Sequence, residues 1–394
     1  MIRTFTLILP LIATMLILTT GCWDRRELNN LAIASGIGIE TKDGSYTVTA
    51  QIENAGEIAK KSGSGSGAPI ATFQSSGETI FEALSKMSKV SPREVYVNHL
   101  RIVVLSEQLA KNGIGEAMEF FSRHPDFRSD FNIFIAKNTE VTNILNTLTQ
   151  IEKIPSNSIF SSIRSSSRIW GEFQEISIDK LISNLESDTT GAVLPGLSFS
   201  GDKQMAKNIN NIQNSQSPAH IKLQGMAVFK KDRLIGWLNE TESIGFNFAQ
   251  NKIKETVVHV LFGDKGKMAV DVYYAKANIT GWIDNNKLHC KINLYTEGKI
   301  EELISPIDVS KYQTILSLEK ETENQIKKYI SSAVTTSQHK LKSDIFGFGE
   351  AINRSSPKKW EAMKRQWDER FEDLTVQITV KTKLRSSGQT NCIC

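Results

Sequence analysis

The sequence is short of the residues that ordinarily declare a chemistry. Its 394 residues hold four cysteines and six histidines, and the histidines fall at no metal-ligand spacing. No His-Glu-x-x-His and no Gly-x-Ser-x-Gly occurs, which leaves out the zinc-peptidase and serine-hydrolase motifs. The glycine-rich stretch Gly63 to Gly67 lacks the Lys-Ser/Thr ending of a phosphate-binding loop. A formal charge of only +4 argues against a nucleic-acid partner and against a strongly polybasic membrane surface. Beyond the first two dozen residues no apolar run is long enough to span a bilayer, which takes roughly 20 residues.

What is present begins at the N-terminus. Arg3 supplies a short cationic start, and Phe5 to Leu18 is an apolar run broken only by Thr6, Pro10 and Thr14. A basic start, a short apolar core and small residues before a cleavage point describe a secretory signal peptide. Leu18-Thr19-Thr20-Gly21-Cys22 then resembles the lipobox of a bacterial lipoprotein. It departs in placing Leu18 one position further out than usual and Thr19 where an aliphatic residue is commoner. The expectation is removal of residues 1–21, lipidation of Cys22, and a mature protein anchored to a membrane without crossing it. An ordinary secreted protein with an incidental cysteine is the alternative. Trp23 suits either the lipid headgroup layer or the surface of the first domain. With Cys22 lipidated, Cys290, Cys392 and Cys394 remain, an odd number that cannot all pair. A metal site joining them to His289 fits no standard spacing.

Along the chain, Leu31 to Glu40 and Tyr46 to Ile52 flank Asp43-Gly44, the signature of a β-hairpin. Ala71 to Ser75 reads as a strand. Glu78 to Val90 reads as a helix with Ile80, Phe81, Leu84, Met87 and Val90 on one side. Val95 to Leu105 reads as a buried strand region, followed by short helices at 106–112 and 114–123 and a strand at 130–136. His124 and Asp126, on either side of Pro125, are the nearest approach to a catalytic pair. No nucleophile stands beside them, and the proline predicts a turn that closes local hydrogen bonds. Helices are expected at 140–151, 158–170 and 178–185. From Ser187 to Pro218 the chain turns rich in Asn, Gln, Gly and Ser and reads as a linker or long loop.

After it come alternating segments at 221–230, 234–238, 255–262, 267–274, 277–283 and 287–295, which predict a mostly antiparallel sheet. A helix is expected at 239–250 and a long one at 310–341. Lys358 to Phe371 carries Trp360, Met363, Trp367 and Phe371 at helical spacing, a core face rather than a cofactor box. Leu374 to Leu384 alternates as a last strand. The fold class is therefore α+β, with serial mixed-sheet domains and packed helices. The expected division is an N-terminal α+β domain at 22–198, a polar linker at 199–219, a C-terminal α+β region at 220–386 (divisible near 300) and a tail at 387–394.

Several stretches taken together resemble the Ger(x)C lipoproteins, the C subunits of spore germinant receptors. They include Gly21-Cys22-Trp23-Asp24 with Gly36-Ile37-Gly38-Ile39, then Gly77 to Ala83 and Asn98 to Arg101. They continue through Gly225 to Leu238, and the strongest is Asp344 to Trp367 with Phe346-Gly347-Phe348-Gly349-Glu350 and Pro357-Lys358-Lys359-Trp360. The order is kept from anchor to last strand. The departures are the Thr19 lipobox and a polar insertion near Asn208 to Ser217.

The resemblance implies an extracytoplasmic lipoprotein of the spore inner membrane, without catalytic residues or cofactors. It implies membrane-embedded A and B subunits as partners, in a complex that senses small germinants. Cys22 alone carries over as a functional residue, and direct contact with germinant does not follow. A solute-binding lipoprotein of a transporter shares the anchor, but such proteins usually show two lobes of alternating βα units. A wall hydrolase would need a catalytic constellation that the motifs do not supply. Gly347 and Gly349 mark a structurally demanding turn, because they permit backbone angles that larger residues resist.

Overall fold

The computed structural model describes residues 27–59, 67–263, 266–304, 307, 309 and 311–385. The expected signal peptide, Cys22, Trp23, most of the Gly/Ser loop, Cys392, Cys394 and the tail lie outside them. The protein is α+β with two mixed sheets.

The first sheet has nine strands: β1 (Leu31–Lys42), β2 (Ser45–Glu53), β3 (Ile70–Gly77), β4 (Glu94–Tyr96), β5 (Ile102–Ser106), β6 (Asn132–Ala136), β7 (Val193–Gly201), β8 (Ala219–Lys230) and β9 (Arg233–Leu238). Their order is β3-β2-β1-β5-β6-β7-β8-β9, with β4 paired to β1. The centre, β1-β5-β6-β7, is parallel and both flanks are antiparallel. The β1–β2 hairpin turns on Asp43 and Gly44, both at positive φ, as the Asp-Gly signal predicts.

Both faces of this sheet are covered, and alternate residues choose a face. Ile102, Val104 and Phe134 point to one core, Val103, Leu105, Ile133 and Ile135 to the other. The second face is closed by α1 (Ile80–Lys86), α2 (Glu107–Asn112), α3 (Gly115–Arg123) and, further on, Leu181 of the helix at Ile178–Leu185. The first face takes α4 (Val141–Leu145) and α5 (Pro155–Ile169). These two lie directly on the β1 backbone. A Cβ at Gly38 would stand 2.1 Å from Val141, and one at Gly36 would stand 2.5 Å from Ser156. That close approach explains the Gly-Ile-Gly-Ile pattern.

After α6 (Ile178–Leu185), the same core runs on into the second sheet through α7 (Glu240–Ala249). Every residue of α7 from Glu242 to Ala249 is buried, and its Gly245 lies against the Tyr329 carbonyl, where a Cβ would come within 2.1 Å. The second sheet has order β10 (Thr256–Phe262), β11 (Gly266–Asp284), β12 (Lys287–Ile304) and β13 (Thr375–Arg385). The first two pairings are antiparallel, and β12–β13 is parallel. Across it lies α8 (Tyr312–Thr335), which continues as a π-helical turn, Thr336–Leu341, and stops at left-handed Lys342. Glu319 and Glu323 of α8 are nearly buried, and they accept the backbone N–H groups of Leu384 (3.0 Å) and Thr382 (3.3 Å) on the free side of β13. An edge strand normally leaves such donors open. Here the helix satisfies them. Three short helices, α9 (Phe348–Ser355), α10 (Pro357–Met363) and α11 (Trp367–Glu372), complete the chain before β13.

Several elements differ from the sequence reading. The expected helix at 140–151 stops at Leu145, because Leu148 N–H turns away to the Ala206 carbonyl. The strand at 95–105 is two strands, since β4 and β5 pair with successive parts of β1 across a break where Arg101 N–H donates to Ser35. Strands expected at 267–274 and 277–283 form the single 19-residue β11, carried through by two register shifts against β12. The helix at 358–371 breaks into α10, a single 3₁₀ turn and α11. Phe81 and Val90, set by periodicity on one side of the helix with Ile80, Leu84 and Met87, are 57% and 52% exposed. The polar stretch after Ser187 contains β7, whose neighbours β6 and β8 supply its ladder despite Pro195, Gly196 and Gly201. Between β7 and β8, Asn211 is fully buried and bonds to Leu148 and Ala219.

Candidate functional site

The Phe346–Glu350 turn is built on Asp344. This aspartate is 3% exposed, and its carboxylate accepts N–H bonds from Phe346 (3.0 Å), Gly347 (2.9 Å) and Gly349 (2.9 Å). Burial pushes its carboxyl up to about 7, against the pull of those backbone donors. Gly347 sits at φ +74, a left-handed angle that glycine adopts without cost. Gly349 is glycine for a different reason: a Cβ would lie 3.0 Å from both Trp360 and Trp367. The demanding turn expected from the sequence is thus demanding twice over.

The turn is also a joint between the two sheets. The Asp344 carbonyl accepts Gly191 N–H at 2.8 Å, and Trp367 Nε1 donates to the Thr189 carbonyl at 3.3 Å. Thr190 donates its hydroxyl to Glu350 at 3.2 Å, and Gln250 donates to the Phe346 carbonyl at 2.9 Å. The segment that leads into β7 is therefore pinned onto the second sheet.

Beside this joint opens a cavity of about 360 Å³, lined by residues that include Gln174, Ser177, Lys180, Gln250, Lys252 and Glu350. Its apolar lining includes Phe246 and Phe346, whose rings meet edge to face with centroids 5.6 Å apart.

The turn at His124 and Asp126 closes on itself, with Asp126 N–H donating to His124 Nδ1 at 3.3 Å. The His124 ring packs 5.8 Å from Phe81, 5.5 Å from Phe120 and 5.4 Å from Phe127. Two hollows, of about 590 and 380 Å³, lie on either side of a ridge made by Phe81 and His124. Asn30, just before β1, lines the larger one. The smaller is walled by Ile80, Phe81, Phe120 and Pro125, with Glu116, Glu119 and Arg123 at its edge.

Of the sequence-predicted site residues, Cys22 lies outside the described residues. Cys290 is buried, and burial followed by the charge of Asp344 raises its thiol well above the usual range, which makes it unreactive. Among the described residues no group of three or more His, Cys, Asp and Glu is placed to hold a metal. Among them, no helix is long and apolar enough to cross a membrane.

Sequence reasoning missed one charged cluster. Lys137 lies 4.6 Å over the Trp237 ring, at the carboxyl end of β6. Glu172, 8% exposed nearby, is pushed up to about 7 by burial and by Glu240. Lys137 and Trp237 are a hundred positions apart, and no spacing rule links them.

Comparison with known proteins covers nearly the whole chain. Residues 24–199 match the family described as spore germination protein N-terminal domain, and residues 224–388 match spore germination B3/GerAC like, C-terminal. The chain is similar to spore germination protein KC of Bacillus subtilis (strain 168), 31% identical over 99% of this chain and 98% of that protein. Spore germination protein B3 of the same organism is 24% identical, over 95% and 96%. Among solved structures, the crystal structure of the GerBC protein aligns with TM-score 0.56 and 19% identity, over 92% of this chain and 99% of that one. That likeness concerns the fold.

Proposed function

The chain belongs to the spore germination GerAC family, and from that premise we propose that it is the lipid-anchored, non-catalytic C subunit of a nutrient germinant receptor. In this reading Cys22 is the acylated first residue of the mature protein. The bulk of the chain lies on the extracytoplasmic face of the spore inner membrane and docks onto A and B membrane subunits. Acyl chains are worth about 0.8 kcal/mol per buried CH₂, so two of them hold a protein whose described residues include no helix long and apolar enough to span.

The observation that carries the reading is where the anchor would leave the fold. Cys22 is eight positions before Asn30, a tether of at most about 29 Å, and Asn30 lines the larger hollow beside exposed Phe81. The face with two concavities and a protruding aromatic is therefore the one kept near the bilayer. A flat headgroup layer cannot fill two hollows, whereas side chains of a membrane-embedded partner can.

The test is the mass and membrane partition of the native protein from spores, beside a Cys22→Ala variant. A mature N-terminus bearing acyl chains, with the variant lost from the membrane fraction, is the expected result. An unmodified Cys22 on a protein that stays soluble would remove the anchor from the proposal.

A further inference from the structure

We propose that the protein's own residues Trp23 to Arg26 dock into the larger hollow, the one of about 590 Å³ lined by Asn30, and clamp the N-terminus onto the first sheet. The docking itself does not need the lipid; its effect on orientation rests on the anchored-subunit reading.

The first observation is where the described chain begins. Leu28–Asn30 form a 3₁₀ turn that runs into β1, and Asn30 is itself part of the hollow's lining. Trp23 is seven positions before Asn30, a reach of at most about 25 Å, so the segment sets out from the edge of its site. A segment tethered this closely meets its site at an effective concentration of about millimolar. Contacts too weak to hold a free peptide are then enough.

The second observation is a match of chemistry. The lining is apolar at Phe81, Leu84, Val95 and Phe127, and Phe81 is exposed. Trp23 is the one large apolar side chain between Cys22 and Glu27, and an aromatic ring is the side chain that covers most apolar surface. The same lining carries two carboxylates, Glu94 and Asp126, and one guanidinium, Arg93. The segment carries the reverse: one carboxylate, Asp24, and two guanidiniums, Arg25 and Arg26. Every charge of the segment thus has an opposite one in the hollow, and arginine forks suit carboxylates.

Docking fixes the anchor. With Trp23 seated, a single step of about 3.8 Å between neighbouring Cα atoms separates it from Cys22. The acylated residue then leaves the fold at the hollow, and the face that carries it is held against the bilayer at a set height. The smaller hollow, across the ridge of Phe81 and His124, is the one left to a partner.

The experiment is fluorine NMR of the mature chain, residues 22–394, carrying Cys22→Ala, labelled with 5-fluorotryptophan and kept free of lipid and detergent. Trp23→Phe assigns the Trp23 resonance among the six. A soluble gadolinium chelate should broaden it at most a third as much as the resonance of Trp170, which is 36% exposed. Ser88→Tyr fills the hollow from an exposed lining position and should bring Trp23 to the broadening of Trp170 without moving the melting temperature. Joint reversal of Arg25→Glu and Arg26→Glu should do the same, and adding Glu94→Lys with Asp126→Lys should restore protection. Broadening of Trp23 equal to that of Trp170 in the starting chain would overturn the docking. Protection that survives both Ser88→Tyr and the arginine reversal would overturn the hollow as its place. Should Ser88→Tyr lower the melting temperature, the charge reversal and its rescue decide. Lipid is absent throughout, so failure here leaves the anchor standing, and an unmodified Cys22 in spores would leave the docking standing.

Discussion

Asn211→Ala separates two physical pictures of the polar stretch between β7 and β8. If residues 199–219 were a linker, as their composition suggests, truncating one asparagine would cost within about 0.5 kcal/mol. In the structure the Asn211 side chain is fully buried and acts as a bracket. Its Nδ2 donates to the carbonyls of Leu148 (2.9 Å) and Ala219 (3.0 Å), and its Oδ1 accepts Ala219 N–H at 2.9 Å. Alanine would leave two carbonyls and one N–H without partners. At about 1 kcal/mol for each buried orphan, the low end of the usual penalty, the loss is about 3 kcal/mol. That corresponds to a change of more than a hundredfold in the folding equilibrium. Urea denaturation followed by tryptophan fluorescence measures it, with exposed Asn210→Ala as the control. Matching midpoints for the two variants would refute the bracket and restore the linker.

Gly245→Ala should destabilise the protein by about 1–3 kcal/mol or more through overpacking, although alanine is the better helix former by about 1 kcal/mol. The new Cβ would meet the Tyr329 carbonyl at 2.1 Å, so α7 and α8 must separate; a variant melting as wild type would disprove their backbone contact. Stability should also fall as pH rises from about 4.5 to about 7. Glu172 and Asp344 both titrate near 7 when folded, so the native state holds protons that the unfolded chain has released. Glu172→Gln should flatten part of that slope in urea midpoints taken across the range, and an unchanged slope would refute the assignment to Glu172.

The elements that could be read from sequence were those whose local chemistry agrees with their surroundings. The β1–β2 hairpin followed from Asp43-Gly44, and α6 from its apolar stripe of Ile178, Leu181, Ile182 and Leu185. The Asp344 turn was legible as a strained glycine turn, though not the aspartate at its centre, because three N–H donors converging on one carboxylate leave no periodic trace. Strand β7 was hidden because its ladder comes from β6 and β8, not from its own composition. The exposure of Phe81 and Val90 could not be read, because periodicity reports which residues share a face, not whether anything covers that face. The cavity was equally invisible. Gln174 and Lys252 lie 78 positions apart yet line the same cavity, and only the tertiary fold brings them together.

The seal over β13 has a consequence for how the protein is made. Thr296 of β12 pairs its hydroxyl with Thr382 across a separation of 86 residues, and Glu319 and Glu323 reach β13 from 65 and 59 residues upstream. During synthesis β12 and both glutamates therefore exist well before the strand that occupies the slot between them. For that interval the sheet offers a bare parallel edge, with two carboxylates over it whose backbone donors have not yet been made. Any strand that supplied N–H groups in the right order could enter, from the same chain or from a neighbour. Fidelity of assembly in this half of the protein thus depends on how soon the last strand arrives, and shortening that wait should raise the yield of correctly folded chains more than strengthening any contact in the finished core.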